Sequence, residues 1–405
     1  MTSGRGQSAA TDFGLATAPA PATTTARPGR PELVAALRRE IERDGPITFA
    51  RFMQRALYEP GLGYYATSGT RPTRQGDFLT APELHPLFGH AVAHQIDEMW
   101  QRLDESDEFV VREYGAGSGA LALAVLEELA RMRSRLLERV RYEPIEVADR
   151  SSAIRDRLSA AGFGRVVEAP SVGQRFVGCV LANEFLDALP VHRVVQRDGE
   201  LRELYVEWRD GRFAETEGRL STPELAAWFA ERGIELADGQ RAEANLALTG
   251  WIGEVAAALE AGYVLAIDYG AEPAALFAPS RASGTIRAFR GQRVSGDPYG
   301  GVGEQDVTAH VDLDALRRSA VDAGMDVLGT TTQAEFLIGC GLEQLMAAEQ
   351  QSLPEEWQPR LLLRAAVGRL LDPRQMGGYA VVVLGRGVSA TPPLRGLAFQ
   401  LPMRS

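Results

Sequence analysis

From Phe109 onward the sequence alternates short apolar runs with stretches of helical period, and that rhythm restricts the chain to few architectures. Strand character recurs at 109–114, 145–148, 166–169, 178–182 and 263–268, then at 326–331 and 379–384. Helical stretches fall between them at 121–140, 152–161, 224–229 and 242–259. Strands and helices in this order predict an α/β chain with a doubly wound, mostly parallel sheet of Rossmann-like type. Such a sheet binds ligands at the carboxyl ends of its strands.

Residues 191–217 break the rhythm. Alternation around Val194, Leu204, Val206 and Trp208 with a turn at Asp210-Gly211 predicts an antiparallel hairpin, the start of an insertion covering about 191–260. Before the sheet, Leu33, Val34, Leu37 and Ile41 recur at helical spacing, and a second helix opens at Thr48 with Phe52, Met53, Ala56 and Leu57 on one face. A polar, Gly-rich loop over 61–82 and a long helix over 83–103 complete an N-terminal helical lid region at 31–105. The core spans 106–390. Residues 1–30, rich in Ala, Thr, Pro and Gly, and residues 391–405 are expected to be tails, the first disordered.

Charge and composition exclude several classes. A formal net charge of −11 with no Lys/Arg stripe argues against a nucleic-acid binder, and no apolar run reaches the length needed to cross a bilayer. Cys179 and Cys340 each sit in apolar surroundings and read as small core residues. His90 and His94 have the spacing of a helical metal pair, but no Glu follows His90 and no Cys is near, so no metal site is expected.

The segment Val110 to Leu121 runs strand, Gly-rich turn, helix. Gly115, Gly117 and Gly119 allow a tight bend and close approach to a ligand, while the helix behind offers free N–H groups at its positive end. Such a turn alone is shared by many nucleotide folds. Glu113, two residues before Gly115, would repel a pyrophosphate but suits a cation. Asp149, after the next strand, is placed to accept the protons of both ribose hydroxyls, with capping of the following helix as the alternative role; Glu146 is a less favoured competitor because it falls inside that strand. A cationic nucleoside, S-adenosylmethionine, satisfies both acids. The rivals are a nicotinamide-dependent oxidoreductase, disfavoured by Glu113, a small-molecule methyltransferase and a non-catalytic assembly factor.

Five strings together carry a resemblance: Gly76-Asp77-Phe78-Leu79-Thr80-Ala81-Pro82-Glu83, the Glu113 to Gly119 turn, Asn183-Glu184-Phe185-Leu186-Asp187-Ala188-Leu189-Pro190, Ile267-Asp268-Tyr269-Gly270 and Asp306-Val307-Thr308-Ala309-His310-Val311-Asp312. They resemble the MidA-type S-adenosylmethionine-dependent methyltransferases, whose mitochondrial member methylates an arginine of a respiratory complex I subunit. The turn departs from the family pattern, reading Tyr114-Gly115-Ala116-Gly117-Ser118-Gly119 where Leu-Gly-Pro-Gly-Arg-Gly is common. The resemblance implies a class I methyltransferase fold, S-adenosyl-L-methionine as cofactor and an arginine of a protein, of complex I assembly type, as acceptor. The expected partner is that protein substrate, with no nucleic acid and no membrane insertion; a homodimer is left open. The N-terminal composition is unlike a mitochondrial leader, so a bacterial cytoplasmic enzyme is expected.

Glu184 is the candidate to hold a guanidinium and Asp187 to hold either the guanidinium or the cofactor, because both follow the fourth strand at the crevice. Asn183 is assigned to the cofactor side, and Asp77 and Thr80 to a lid closing over the cofactor. His310 is a candidate proton acceptor or a loop anchor. Tyr64 and Tyr65 could line the cleft, and Asp268 faces either the site or a neighbouring turn.

Overall fold

The computed structural model describes residues 28–67, 80–147, 150–170, 173–291, 293–354 and 356–401. Asp77 and Asp149 lie outside these residues, as does most of the expected N-terminal tail.

The elements that position the site follow in chain order. They are α1 (Pro31–Asp44), α2 (Phe49–Tyr58), α3 (Leu87–Gln101), β1 (Phe109–Tyr114), α4 (Ala120–Arg131), β2 (Val140–Ile145), α5 (Arg150–Leu158) and β3 (Phe176–Asn183). An inserted run follows with β4 (His192–Arg197), β5 (Glu200–Arg209), β6 (Arg212–Gly218) and β7 (Arg241–Ala244). The chain then returns through α6 (Leu246–Ala258) and β8 (Leu259–Asp268), makes a second insertion with β9 (Arg287–Arg290), β10 (Arg293–Ser295) and β11 (Asp306–Thr308), and ends with α7 (Leu313–Asp322), β12 (Asp326–Thr332) and β13 (Ala380–Arg386).

The six-stranded central sheet has the order β12-β13-β8-β3-β1-β2. Its four inner and early strands are parallel, while β13 runs antiparallel to both β8 and β12. β1, β3 and β8 are buried on both faces, which explains their continuous apolar runs. One face packs on α3 and α4 through Phe88, Ile96, Leu126 and Phe109; the other packs on α6 and α7 through Trp251, Ile252 and Leu316. Both cysteines lie fully buried in the first of these layers.

Several expected boundaries move. The helix expected over 121–140 ends at Arg131; Arg133 takes φ 53°, and Ser134 caps a separate turn at Arg135–Glu138 by accepting from Leu136 N–H. The strand expected at 145–148 is Val140–Ile145. Its charged residues hid it: Glu143 is fully buried and pairs with the Arg112 guanidinium of β1 at 2.7 Å. The strand expected at 166–169 is reduced to a single bridge from Val167 to Tyr142. In the expected helix 242–259, Arg241–Ala244 is a strand, and the Asn245 side chain caps the helix that begins only at Leu246. The expected helix 83–103 is interrupted where His85 adopts extended backbone before Pro86, giving a turn at Ala81–Leu84 and then α3. α1 and α2 form as expected, with the Thr48 hydroxyl accepting from Arg51 N–H.

The insertion holds more than a hairpin. Ile47–Thr48, β5, β4 and β7 form one antiparallel sheet, with β6 added on the outer side of β5. Both tight turns, Asp198-Gly199 and Asp210-Gly211, have positive φ at both residues, the geometry that matches strand twist. Residues 28–30, assigned to the tail, pair with Val302, whose N–H donates to Pro28 O at 3.0 Å. Residues 391–401 dock as well: Leu394 is buried and Gly396 N–H donates to Gln95 Oε1 at 2.9 Å.

Candidate active site

A cavity of about 1640 Å³ opens at the carboxyl ends of β1, β2 and β3. The turn after β1 forms its floor. Gly115, Gly117 and Gly119 have φ of 68°, 59° and 76°, a left-handed region that other residues enter at a cost. Two of these positions also lack room: a Cβ on Gly119 would lie 2.7 Å from the Ile154 Cγ2 methyl, and one on Gly115 3.1 Å from the Phe185 ring.

Glu113, at the end of β1, lines the cavity yet is 3% exposed. The Tyr142 hydroxyl of β2 donates to its Oε2 at 2.7 Å. Burial pushes its carboxyl up to about 7, opposed by the Tyr142 bond and reinforced by the nearby Glu146 charge. Glu146 is the competitor that the misplaced strand disfavoured. Because β2 ends at Ile145, opposite Tyr114, Glu146 stands directly beside the turn, where Gly117 N–H donates to its Oε1 at 2.7 Å. It lines the cavity with Arg150, whose guanidinium donates to Gly117 O at 3.1 Å and Tyr65 O at 3.2 Å.

The opposite wall is the turn after β3. Asp268, at the end of β8 and 3% exposed, accepts through Oδ2 from the N–H groups of Phe185, Leu186 and Asp187 at 3.1, 2.7 and 3.3 Å. Its Oδ1 accepts from Tyr269 N–H at 2.7 Å. Asp268 therefore serves the neighbouring turn, and burial still raises its carboxyl to about 6. So anchored, the turn holds Glu184 at φ 49°, a strained conformation that tertiary bonds maintain, among them Glu184 N–H to Ile267 O at 2.8 Å. Glu184 Oε1 accepts from Ala81 N–H at 2.9 Å, next to Thr80 at the cavity edge, and from the Asn183 amide at 3.3 Å. Among the described residues its Oε2 and the Asn183 Oδ1 are buried with no hydrogen-bond partner. Burial raises the Glu184 carboxyl to about 8. Asp187 is raised well above the usual range, first by burial and then by the charges of Asp268, Asp306 and Glu184.

The lid helices contribute Tyr58, Tyr64 and Tyr65, and the second insertion contributes Arg287, Phe289 and Asp306. His310 is not brought into this group. Its Nδ1 faces the Arg281 guanidinium at 3.2 Å, its ring packs edge-on against Tyr269 with centroids 4.0 Å apart, and it does not line the cavity. Burial and two neighbouring arginines lower its imidazole to about 3, so it stays neutral, and these contacts favour a loop anchor over a proton acceptor. His90 and His94 meet Glu128 across the α3–α4 contact, His94 Nε2 lying 2.8 Å from Glu128 Oε1.

The donor set fits S-adenosylmethionine: a buried acid for the ammonium, a second acid at the next strand end for ribose hydroxyls, helix-end N–H groups for the carboxylate, and orphaned polar atoms of Asn183 and Glu184 that want a partner. A Rossmann-like sheet with an acid-flanked glycine turn at its crevice defines an S-adenosylmethionine-dependent methyltransferase. Residues 91–331 match the family described as "Putative S-adenosyl-L-methionine-dependent methyltransferase", and the chain belongs to that family. A crystal structure from Burkholderia thailandensis bound to S-adenosyl-homocysteine superimposes with a TM-score of 0.81 at 33% identity, covering 94% of this chain and 98% of that one. Among named relatives, the Drosophila melanogaster "Protein arginine methyltransferase NDUFAF7 homolog, mitochondrial" is 28% identical over 392 residues, 88% of this chain and 85% of that protein. The Danio rerio protein arginine methyltransferase NDUFAF7 is 26% identical, covering 82% of each chain.

Proposed function

We propose that the chain methylates an arginine side chain of a protein, and that a respiratory complex I subunit met in a bacterial cytoplasm is the first acceptor to test. The observation that carries this reading is the crowding of carboxylates at the transfer end of the cavity: Glu184 with an unpartnered buried Oε2, beside Asp187 and above Asp268. Without a cation, burial first and then mutual repulsion push these acids toward protonation. A planar guanidinium resolves that repulsion and is bound bidentately by carboxylates. The names of the relatives support the same acceptor.

On this reading Glu113 pairs with the cofactor ammonium, Glu146 accepts from the ribose hydroxyls, and the Gly115 to Gly119 turn admits the amino-acid portion. Asp149 remains a further candidate for the ribose, and Asp77 and Thr80 for the lid. S-adenosylmethionine supplies an electrophilic methyl carbon. Glu184 and Asp187 orient one guanidinium nitrogen toward it, and Glu184, which burial above all raises to about 8 but which a bound cation ionises, is placed to receive the proton the nitrogen loses. Asn183 spans the two sides, donating to Glu184 while its buried Oδ1 would accept from the cofactor. Glu184→Gln should abolish transfer to arginine while leaving S-adenosylhomocysteine affinity within about threefold; undiminished turnover would remove Glu184 from the chemistry.

A further inference from the structure

The second insertion brings a carboxylate to the cavity that no strand of the central sheet supplies. β11 opens at Asp306, and just past its end Ala309 N–H donates to the Asp187 carbonyl at 2.9 Å. That bond seats the small β10-β9-β11 sheet on the turn after β3, so Asp306 and Asp187 line the same cavity from different insertions of the fold. Asp306 is only 9% exposed. The Tyr65 hydroxyl donates to its Oδ1 at 2.8 Å. Tyr65 leans on Tyr58, with ring centroids 5.5 Å apart, and the Tyr58 hydroxyl donates to Ala188 O at 2.8 Å. The lid, the turn carrying Asp187 and the second insertion thus meet in one bonded chain that fixes Asp306.

We infer that Asp306 is the specificity residue of the acceptor site, closing with Glu184 and Asp187 around the plane of a cationic side chain, and that Tyr65 is its positioning residue. The inference rests on the arginine reading. A guanidinium offers N–H donors along more than one edge of its plane, whereas Glu184, with an Oε2 that has no partner among the described residues, and Asp187 both approach from the one turn after β3. Contacts from one side leave the opposite edge of the group unheld. A third carboxylate, on that other edge, fixes the plane and aims a single nitrogen at the methyl carbon. The arrangement selects arginine over lysine, since an ammonium is a point charge without a plane to grip. Burial and the Asp306 charge push the Tyr65 hydroxyl well above its ordinary range, so it stays protonated and donates throughout the working pH range.

The test uses the full chain saturated with S-adenosylhomocysteine and titrated with N-acetyl-arginine methylamide and its lysine and citrulline counterparts, in wild type, Asp306→Asn and Tyr65→Phe. The wild type should prefer the arginine probe to both others. Asp306→Asn should weaken it about 10- to 100-fold and compress the arginine-to-lysine ratio, Tyr65→Phe should weaken it several-fold, and S-adenosylhomocysteine affinity should not move in either. A wild type that treats arginine and citrulline alike would refute the arginine reading, and this inference with it. A wild type that prefers arginine, with Asp306→Asn binding it equally well, would overturn the Asp306 assignment alone. Parallel loss of S-adenosylhomocysteine affinity would also overturn it, because Asp306 would then only support the fold.

Discussion

Replacing Glu113 with Gln tests the cofactor half of the site at its most buried point. Gln keeps the volume, and its amide oxygen can still accept from the Tyr142 hydroxyl that now bonds Oε2 at 2.7 Å. What it removes is the charge. Hydrogen bonds between charged groups contribute about 1.5–3 kcal/mol, so loss of the ammonium pairing should weaken S-adenosylmethionine roughly 10- to 100-fold. Titration calorimetry should find S-adenosylhomocysteine weakened alike, because it keeps the ammonium, and adenosine unchanged, because it has none. The pH dependence carries an independent sign. In the free protein the carboxyl is raised from 4.5 to about 7, so below 7 it is mostly protonated and must release a proton before it can pair. Wild-type affinity should therefore rise between pH 5.5 and 7 while the variant stays flat. Stability moves the other way: an acid whose folded pKa is raised binds more protons folded than unfolded, and its stabilisation is lost as pH rises toward 7. The Gln variant without ligand should thus melt higher than wild type at pH 8, by an amount on the order of 3 kcal/mol or less. Equal S-adenosylmethionine affinity in the two proteins, or loss of adenosine binding as well, would refute the assignment.

Other consequences follow from neighbouring contacts. Asp268→Ala removes the acceptor of three consecutive turn N–H groups and of Tyr269 N–H; a loss of roughly 3–5 kcal/mol and a lower melting temperature are expected, and an unchanged melt would show the anchor to be dispensable. Gly119→Ala forces a left-handed φ and a 2.7 Å contact with Ile154, so cofactor affinity should fall at least tenfold while the circular dichroism spectrum is kept. His310→Gln should leave the pH profile of turnover unaltered, since an imidazole lowered to about 3 is neutral wherever the enzyme works. Because the unfolded imidazole binds a proton near 6.5 and the folded one does not, the wild type loses stability as pH falls from about 6.5 toward 3. The variant should lose less over that interval, and identical acid-denaturation curves would contradict the burial argument.

How far the sequence could be read depended on where charge is buried. β1, β3 and β8 are legible because burial on both faces demands unbroken apolar runs. β2 is not, because Arg141, Glu143 and Pro144 interrupt it, and only the fold reveals that Glu143 meets Arg112 across the strand pair. That displacement puts Glu146 inside the strand and ranks it below Asp149, whereas it lands beside the glycine turn once β2 is set at Val140–Ile145. The strands β9 to β11 are three or four residues long and too short for a period to register, so Asp306 is invisible as a site residue although it opens the string that contains His310. The glycine turn, Glu113 and the Asn183 to Asp187 turn need no such context, since a strand end, a sharp turn and a carboxylate are all local.

Transfer to arginine is the claim on which the rest depends. Wild type and Glu184→Gln should each be incubated with methyl-labelled S-adenosylmethionine and host lysate, and the labelled polypeptides hydrolysed for amino-acid analysis. The account predicts label in methylarginine for the wild type and almost none for the variant. Label recovered only in other residues or in small molecules, or equal methylarginine from both proteins, would contradict it.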